Sequence, residues 1–322
     1  MQDTGSRDEH LRASARHDVI PAPRSASEQM HELAEGPFWD APRARLLWVD
    51  IRRGSVFSGE LGSDGTVGCI EEVSVPGTAG AVAAAEDGSW IIAGSDRLWI
   101  RSPEGVLTAG ATVLPPTSGR RLNDGKPDPA GRYLVGSLSL SGPSTSETLV
   151  SIDHSGGIRV LDDDLTLSNG LAWSADGRTL YSVDTERRVV FRRDYDPSTG
   201  DTGPRSVFLE VTDGYPDGMC IDAEEHLWIA MWGLGEVHRY SPAGEQVDTV
   251  AVPAPHVSSA AFAGEDLGTL VITTARQDLD SAALSRFPDS GRLFTVRVPV
   301  PGLPQPLWSG SASETVSSRG AR

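Results

Sequence analysis

Cysteine is scarce and long apolar runs are absent in this 322-residue sequence. Its two cysteines, Cys69 and Cys220, match no zinc-ligand spacing and no disulfide framework. Two free thiols favour a reducing cytoplasm, although a single disulfide between them stays open. No run of about 18 apolar residues occurs, and the opening stretch MQDTGSRDEHLRASARHDV contains no apolar segment. We therefore expect a cytoplasmic protein with no secretory leader and no membrane partner.

Positive charge is also scarce, since 28 basic residues stand against 45 acidic ones and the net charge is -17. A phosphate backbone or an anionic bilayer would repel such a surface, so nucleic acid is not an expected partner. The acidic excess either serves solubility or forms a cavity that attracts a cation. A Gly-x-Ser-x-Gly motif is missing as well, which removes support for a serine nucleophile.

Glycine (35), proline (22) and tryptophan (8) are abundant, which favours short strands joined by many turns. A short apolar strand, a turn rich in Asp, Gly, Ala or Pro, and a second apolar strand recur six times. One anchor residue per copy follows the previous anchor by 42 to 48 residues: Trp48, Trp90, Tyr133, Leu180, Trp228 and Leu270. A repeat of roughly 40–50 residues with several strands is typical of a propeller. We predict an all-β fold, a six-bladed β-propeller with four-stranded blades.

The two ends of the chain differ in composition from this repeated body. Residues 1–29 are polar, mixed in charge and poor in large apolar residues, so we expect a disordered N-terminal extension there. Residues 311–322 have the same character and are predicted to form a flexible C-terminal tail. The propeller is therefore assigned to residues 30–310.

Oxygen-bearing side chains recur at one phase of the repeat, about 11 residues before the anchor: Glu35, Asn123, Asn169 and Asp217. The innermost strand of each propeller blade lines the central channel, so these side chains should converge on one rim. Their oxygens suit one divalent metal ion, Ca²⁺, Mg²⁺ or Mn²⁺, and three ligands with an open position leave Zn²⁺ open. Each Asn or Asp taken alone is better interpreted as a turn residue, but four in register favour a site.

Four motifs around these positions resemble those of a known family: AEGPFWD at Glu35, RLNDGKPDPAGRY at Arg121, SNGLAWSADGRTLY at Asn169 and PDGMCIDAEEHLWIAMWG at Asp217. The family is that of regucalcin, gluconolactonase and luciferin-regenerating proteins, and the resemblance extends over about residues 30 to 308. It implies that Glu35, Asn169 and Asp217 hold the metal. It further implies that Arg121 and Asn123 face a substrate, and that Asp124, near the site, belongs to the same substrate-binding set.

The activity that the resemblance implies is metal-dependent hydrolysis of a lactone, a sugar lactone first of all, to the hydroxy acid. The metal would polarise the lactone carbonyl or activate a water, and Asp217 would be the general base as well as a ligand. Two alternatives stay open: a non-catalytic propeller that binds a divalent cation, and a related propeller esterase or phosphotriesterase. Retention of Arg121 and Asn123 favours the enzyme, because cation binding alone does not require them.

Three further positions carry specific expectations. Glu147, in the loop region LSLSGPSTSETLVSID, is out of register with the glutamate that grips sugar hydroxyls in some relatives, which leaves the identity of the lactone open. His256 is interpreted as a hydrogen-bonded surface histidine rather than as a substrate donor. Trp232 is the tryptophan best placed to approach the channel mouth.

Overall fold

The computed structural model describes residues 20–310, and these residues form six four-stranded antiparallel sheets. The strands of blade one are Ala34–Asp40 (β2), Arg45–Asp50 (β3), Ser55–Leu61 (β4) and Val67–Ser74 (β5). Those of blade two are Ala81–Ala84 (β6), Trp90–Ala93 (β7), Arg97–Arg101 (β8) and Leu107–Thr112 (β9). Those of blade three are Arg120–Pro127 (β10), Tyr133–Ser139 (β11), Glu147–Ile152 (β12) and Ile158–Leu165 (β13). The predicted six-bladed β-propeller is confirmed.

The last three blades repeat this order. The strands of blade four are Ser168–Trp173 (β14), Thr179–Asp184 (β15), Val189–Asp194 (β16) and Ser206–Glu210 (β17). Those of blade five are Tyr215–Ile221 (β18), Leu227–Trp232 (β19), Glu236–Tyr240 (β20) and Gln246–Ala251 (β21). Blade six contains Val257–Ala263 (β22), Thr269–Thr274 (β23) and Phe294–Arg297 (β24). A 3-10 turn, Ala41–Arg43, follows β2, and one short helix, Ser281–Arg286 (α1), precedes β24. Within residues 20–310, no helix is long and apolar enough to cross a membrane.

The outermost strand of blade six comes from the start of the chain. Arg24–Ser25 (β1) pairs antiparallel with β24, Arg24 opposite Thr295 and Ser25 opposite Phe294. The propeller therefore begins before the predicted boundary at residue 30, because these two residues close the ring on the last blade. The remainder of the predicted extension, residues 1–19, and the predicted tail, residues 311–322, lie outside the described residues.

Burial follows the position of a strand within its blade. Inner strands such as β14 and β22 are buried along their whole length, whereas the outermost strands β5 and β21 are mostly exposed. Inner strands have a neighbouring blade on each face, and apolar side chains on both faces are then removed from water. This explains why the inner strands lack the alternation of buried and exposed residues, even where they carry polar residues such as Asn169 and Ser258.

The Asp-containing turns of the recurring motif are structural. Asp128 Oδ1 accepts hydrogen bonds from the backbone N–H groups of Ala130 and Arg132, each at 2.9 Å. Asp222 Oδ1 accepts from Glu224 and His226 in the same geometry, also at 2.9 Å. These carboxylates stabilise the turn between the first two strands of their blades.

A C-terminal segment, residues 302–309, crosses the end of the propeller at which the inner strands finish. Leu303 N donates to Ile221 O at 3.1 Å, Gln305 Oε1 accepts from Trp39 N at 2.7 Å, and Trp308 N donates to Ala84 O at 2.9 Å. These bonds tie the segment to blades five, one and two. The other end of the channel, where the inner strands begin, is thus the one at which a small molecule would meet the predicted site residues.

Candidate functional site

A cavity of about 270 Å³ opens where the inner strands begin. Five of the six predicted site residues line it: Glu35, Arg121, Asn123, Asn169 and Asp217. They belong to blades one, three, four and five, and they lie far apart in the sequence. The predicted convergence of these side chains on one rim of the channel is therefore present in the structure.

Bulges in the inner strands fall at the site residues. The pairing register shifts between Glu35 and Phe38 in β2, between Leu122 and Gly125 in β10, and between Pro216 and Met219 in β18. Strand β14 shifts immediately after Asn169. A bulge bends a strand and redirects the side chain beside it. The irregularities thus aim polar side chains at the channel from strands that are otherwise largely buried.

Two glycines near the start of inner strands, Gly170 and Gly80, make room for the neighbouring blade. A Cβ atom on Gly170 would lie 2.5 Å from the backbone oxygen of Asp217, and one on Gly80 would lie 2.6 Å from that of Asn123. Both neighbours are main-chain atoms, which cannot turn aside as a side chain could. These glycines therefore let one inner strand pack closely against another.

A chain of hydrogen bonds fixes the amides of the site. Arg121 Nη1 donates to Asn123 Oδ1 at 2.8 Å, and Asn123 Nδ2 donates to Asn169 Oδ1 at 2.9 Å. Asn169 Nδ2 donates in turn to Thr185 Oγ1 at 3.0 Å, and this hydroxyl donates to Pro216 O at 2.8 Å. The side-chain oxygen of Asn169, Oδ1, keeps a second lone pair for a ligand. Sequence reasoning missed Thr185, because it follows a second strand and shares no repeat position with the other site residues.

The two carboxylates of the site are buried and poorly compensated. Glu35 and Asp217 are each only 6% exposed. Glu35 Oε2 accepts from the N–H of Gly36 at 2.9 Å, but Asp217 Oδ1 is buried without a hydrogen-bond partner in the part of the chain that is described. Burial, and then the charge of Asp124, raise the pKa of Glu35 to about 8. Burial and the charge of Glu35 raise the pKa of Asp217 well above its usual range.

Arg121 is the nearby cation, and it too is buried. Burial lowers its pKa to about 10, against the charge of Glu35, which raises it. Its Nη1 group is occupied by Asn123 Oδ1 and by Leu122 O, the latter at 2.9 Å. Arg121 therefore offsets part of the negative charge, while its Nη1 group donates to these two oxygens rather than to Asp217.

Asp124 lies deeper than expected. It lines a separate, much smaller cavity of the channel, together with Lys126 and Gln305, while its Oδ1 accepts from Gly125 N at 2.8 Å. Lys126 Nζ donates to Leu171 O and Met219 O, each at 2.9 Å. An inner strand descends along the channel by about 3.3 Å per residue, so a side chain following Asn123 is displaced from the mouth. The expectation that Asp124 touches a substrate in the main cavity is not supported by this position.

Residues 33–276 match the SMP-30/gluconolactonase/LRE-like region. The chain belongs to this family. Regucalcin from Gallus gallus is 34% identical over 292 residues, which cover 87% of this chain and 96% of that protein. The 6-deoxy-6-sulfogluconolactonase of Pseudomonas putida is 32% identical over 282 residues, covering 86% and 95%.

A solved structure gives the same result for the fold of this SMP-30/gluconolactonase family member. The crystal structure of regucalcin from Agrobacterium tumefaciens, described as a calcium-binding protein, superposes with a TM-score of 0.83 at 30% identity. The match covers 90% of this chain and 97% of that one. The similarity therefore extends over the whole propeller rather than over isolated motifs.

The structure of this family member also shows the surroundings of Glu147, His256 and Trp232, about which the sequence makes specific predictions. Glu147 is buried inside blade three, where its Oε2 accepts from Arg120 Nε at 2.9 Å and from Ser137 Oγ at 2.8 Å. His256 is hydrogen-bonded as expected, with Nδ1 donating to Gln277 O at 2.9 Å. Trp232 does line the cavity, and its ring stacks on His256 at 4.2 Å between centroids.

Proposed function

We propose that this chain is a metal-dependent hydrolase that opens a lactone to its hydroxy acid, with Glu35, Asn169 and Asp217 holding one divalent ion. The observation that carries the proposal is the unpartnered oxygen of Asp217. A buried carboxylate without a partner, next to a second buried carboxylate, is costly in a protein unless a cation compensates it.

The donor set fits a hard cation. Two carboxylates and one amide supply oxygen only, which suits Ca²⁺, Mg²⁺ or Mn²⁺ and leaves Zn²⁺ open. Among residues 20–310, no three His, Cys, Asp or Glu side chains gather closely enough to hold an ion, so the set depends on the amide of Asn169. When bound, such an ion would polarise the lactone carbonyl and lower the pKa of a water.

Asp217 and Arg121 would do the remaining work. Asp217 would hold the ion through Oδ1, and its other carboxylate oxygen would accept the proton of the attacking water and return it to the leaving alkoxide. Arg121, held by Asn123, would donate to substrate oxygens with the nitrogens that Asn123 and Leu122 do not occupy. Asn123 would orient both Arg121 and Asn169 and contact the substrate from the same rim.

The relatives support a lactone as substrate. The Pseudomonas putida relative is named for hydrolysis of a sulfogluconolactone, which makes sugar lactones the first compounds to test. The Agrobacterium tumefaciens structure is described by calcium binding alone, and this favours the second candidate, a propeller that binds a cation without catalysis. A related esterase or phosphotriesterase is the third reaction that the same donor set could support.

The test is acid release at constant pH. Protein treated with EDTA is assayed with D-glucono-δ-lactone, δ-valerolactone and γ-butyrolactone, before and after addition of each divalent ion. We expect turnover that depends on a divalent ion. Tight ion binding without turnover of any lactone would favour the cation-binding alternative. Parallel assays with aryl esters and phosphotriesters would identify an esterase or phosphotriesterase.

A further inference from the structure

The wall that blade six contributes to the cavity is built around Gln277. This residue follows β23 and lines the cavity together with Asp278. Its backbone is held from two blades, because its N–H donates to Glu32 O at 2.9 Å and its carbonyl accepts from His256 Nδ1 at 2.9 Å. Gln277 is therefore fixed in position before any ligand arrives, which is what a recognition residue requires.

The side-chain amide of Gln277 has one satisfied end and one free end. Its Nε2 donates to Asp278 Oδ2 at 3.1 Å. A carboxylate can only accept, so this contact assigns the nitrogen to the Asp278 side and the oxygen to the other side. That oxygen, Oε1, is buried without a hydrogen-bond partner among residues 20–310. A buried acceptor of this kind calls for a donor, and the cavity that it lines is where a donor could come from.

An aromatic surface shares this wall. Trp232 is half-buried, lines the same cavity, and stacks on His256 with an interplanar angle of 11°. His256 is the residue that holds the Gln277 carbonyl, so the indole and the free acceptor belong to one connected unit. An apolar ring face beside an unpaired acceptor suits a saturated ring that carries hydroxyl groups, because its C–H face packs and its O–H donates.

We propose that Gln277 determines substrate specificity, with its Oε1 accepting a hydrogen bond from a ring hydroxyl and Asp278 holding the amide in that orientation. This rests on the proposed function and narrows it, since it assigns a hydroxylated lactone rather than an unsubstituted one. A site built to accept from a hydroxyl discriminates against the analogue that lacks it, because the acceptor then stays buried and unpaired.

The experiment compares Gln277→Leu with wild type on two lactones, D-glucono-δ-lactone and δ-valerolactone, which has the same ring size without hydroxyls. We expect kcat/KM for the hydroxylated lactone to fall about ten-fold, mainly through KM, and that for δ-valerolactone to stay within about two-fold. The matched control is Gln246→Leu, an exposed glutamine of the outer strand β21, which should change neither.

Equal losses on both lactones, or no loss on either, would overturn the assignment of Gln277. Gln277→Met, which keeps a similar volume without the amide, repeats the test if the leucine variant unfolds.

If wild type hydrolyses no lactone, the proposed function fails, and the role of Gln277 is then tested by binding alone. The probe is 1,5-anhydro-D-glucitol, which keeps ring hydroxyls but has no carbonyl, titrated by NMR against tetrahydropyran as the ring without hydroxyls. Weaker binding of the anhydroglucitol to Gln277→Leu would support the inference. An unchanged dissociation constant, or no binding to wild type, would reject it.

Discussion

Blade two and blade five build their innermost strands in different ways. Strand β6, with the sequence AVAA, pairs with β7 in a regular register over its whole length. Strand β18 carries Asp217 at a register shift between Pro216 and Met219. Both strands occupy the same position in a repeated architecture, yet only the bulged one sends a carboxylate into the channel. The propeller thus supplies equivalent positions, while a local irregularity directs a polar side chain into the channel from only one of these two strands.

Blade two contributes by leaving space. Gly80, just before β6, faces the backbone oxygens of Leu122 and Asn123, at 2.9 and 2.6 Å from an added Cβ. The strand that carries Arg121 and Asn123 therefore packs against a position without a side chain. Blade five contributes the carboxylate of Asp217, whereas blade two contributes the space against which the strand carrying Arg121 and Asn123 packs.

The largest effect is expected when the carboxylate that blade five contributes is removed. Asp217→Asn keeps the shape of the side chain, and we expect turnover to fall about 1,000-fold, the scale of losing a main stabilising group. The metal-free variant should unfold at the same temperature as wild type or higher, because a buried charge beside Glu35 is removed. Steady-state kinetics and thermal unfolding after EDTA treatment measure the two effects.

The control for this variant is Asp266→Asn, which removes an exposed carboxylate that pairs with Arg297 at 2.6 Å on the surface of blade six. It should leave turnover unchanged. Retention of wild-type turnover by Asp217→Asn would remove this residue from the mechanism.

Blade two is tested by filling its space. Gly80→Ala places a methyl group against main-chain atoms, so we expect a loss of about 1–3 kcal/mol in the free energy of unfolding. Displacement of Asn123 should also lower kcat/KM by about ten-fold, as expected when a positioned group moves. Gly68→Ala is the matched control, since a Cβ there meets nothing within 4 Å. Equal effects of the two substitutions on kcat/KM, measured beside urea unfolding, would show that the packing of blade two does not position the site.

A smaller effect is expected away from the channel, at His31. Its Nδ1 donates to Gly291 O at 2.8 Å and its Nε2 accepts from Trp48 Nε1 at 3.0 Å, so the buried ring is neutral. Burial lowers its pKa below the ordinary value of 6.5. The unfolded chain then binds the proton first, so His31 stabilises the fold fully above pH 6.5 and progressively less as the pH falls toward its folded-state pKa.

The measurement for His31 is urea unfolding at pH 7.5 and at about pH 5.5, for wild type and for His31→Gln, whose amide can both donate and accept. The wild type should lose more of its unfolding free energy between the two pH values than the variant does. Identical losses would mean that His31 does not couple stability to pH.

Much of the fold followed from the sequence, because six repeats of an apolar strand pair leave few architectures that bury both sheet faces. The closing strand Arg24–Ser25 could not be predicted from the sequence, because two exposed residues carry no periodic pattern. The gathering of Glu35, Asn123, Asn169 and Asp217 was predictable, since they share a phase of the repeat. Thr185 and Gln277 follow second strands and share no such phase, and the depth of Asp124 depends on bulges that composition does not reveal. The cytoplasmic location and the exclusion of nucleic acid stay predictions.

Isothermal titration of the EDTA-treated protein with Ca²⁺, Mg²⁺, Mn²⁺ and Zn²⁺ tests the claim that bulged inner strands from three blades form one metal site. We predict that one ion binds per chain. Its affinity should be weaker by about 100-fold or more in Asp217→Asn and in Glu35→Gln, and unchanged in Asp266→Asn. Undiminished affinity in both channel variants would contradict the claim and place any bound ion elsewhere in the protein.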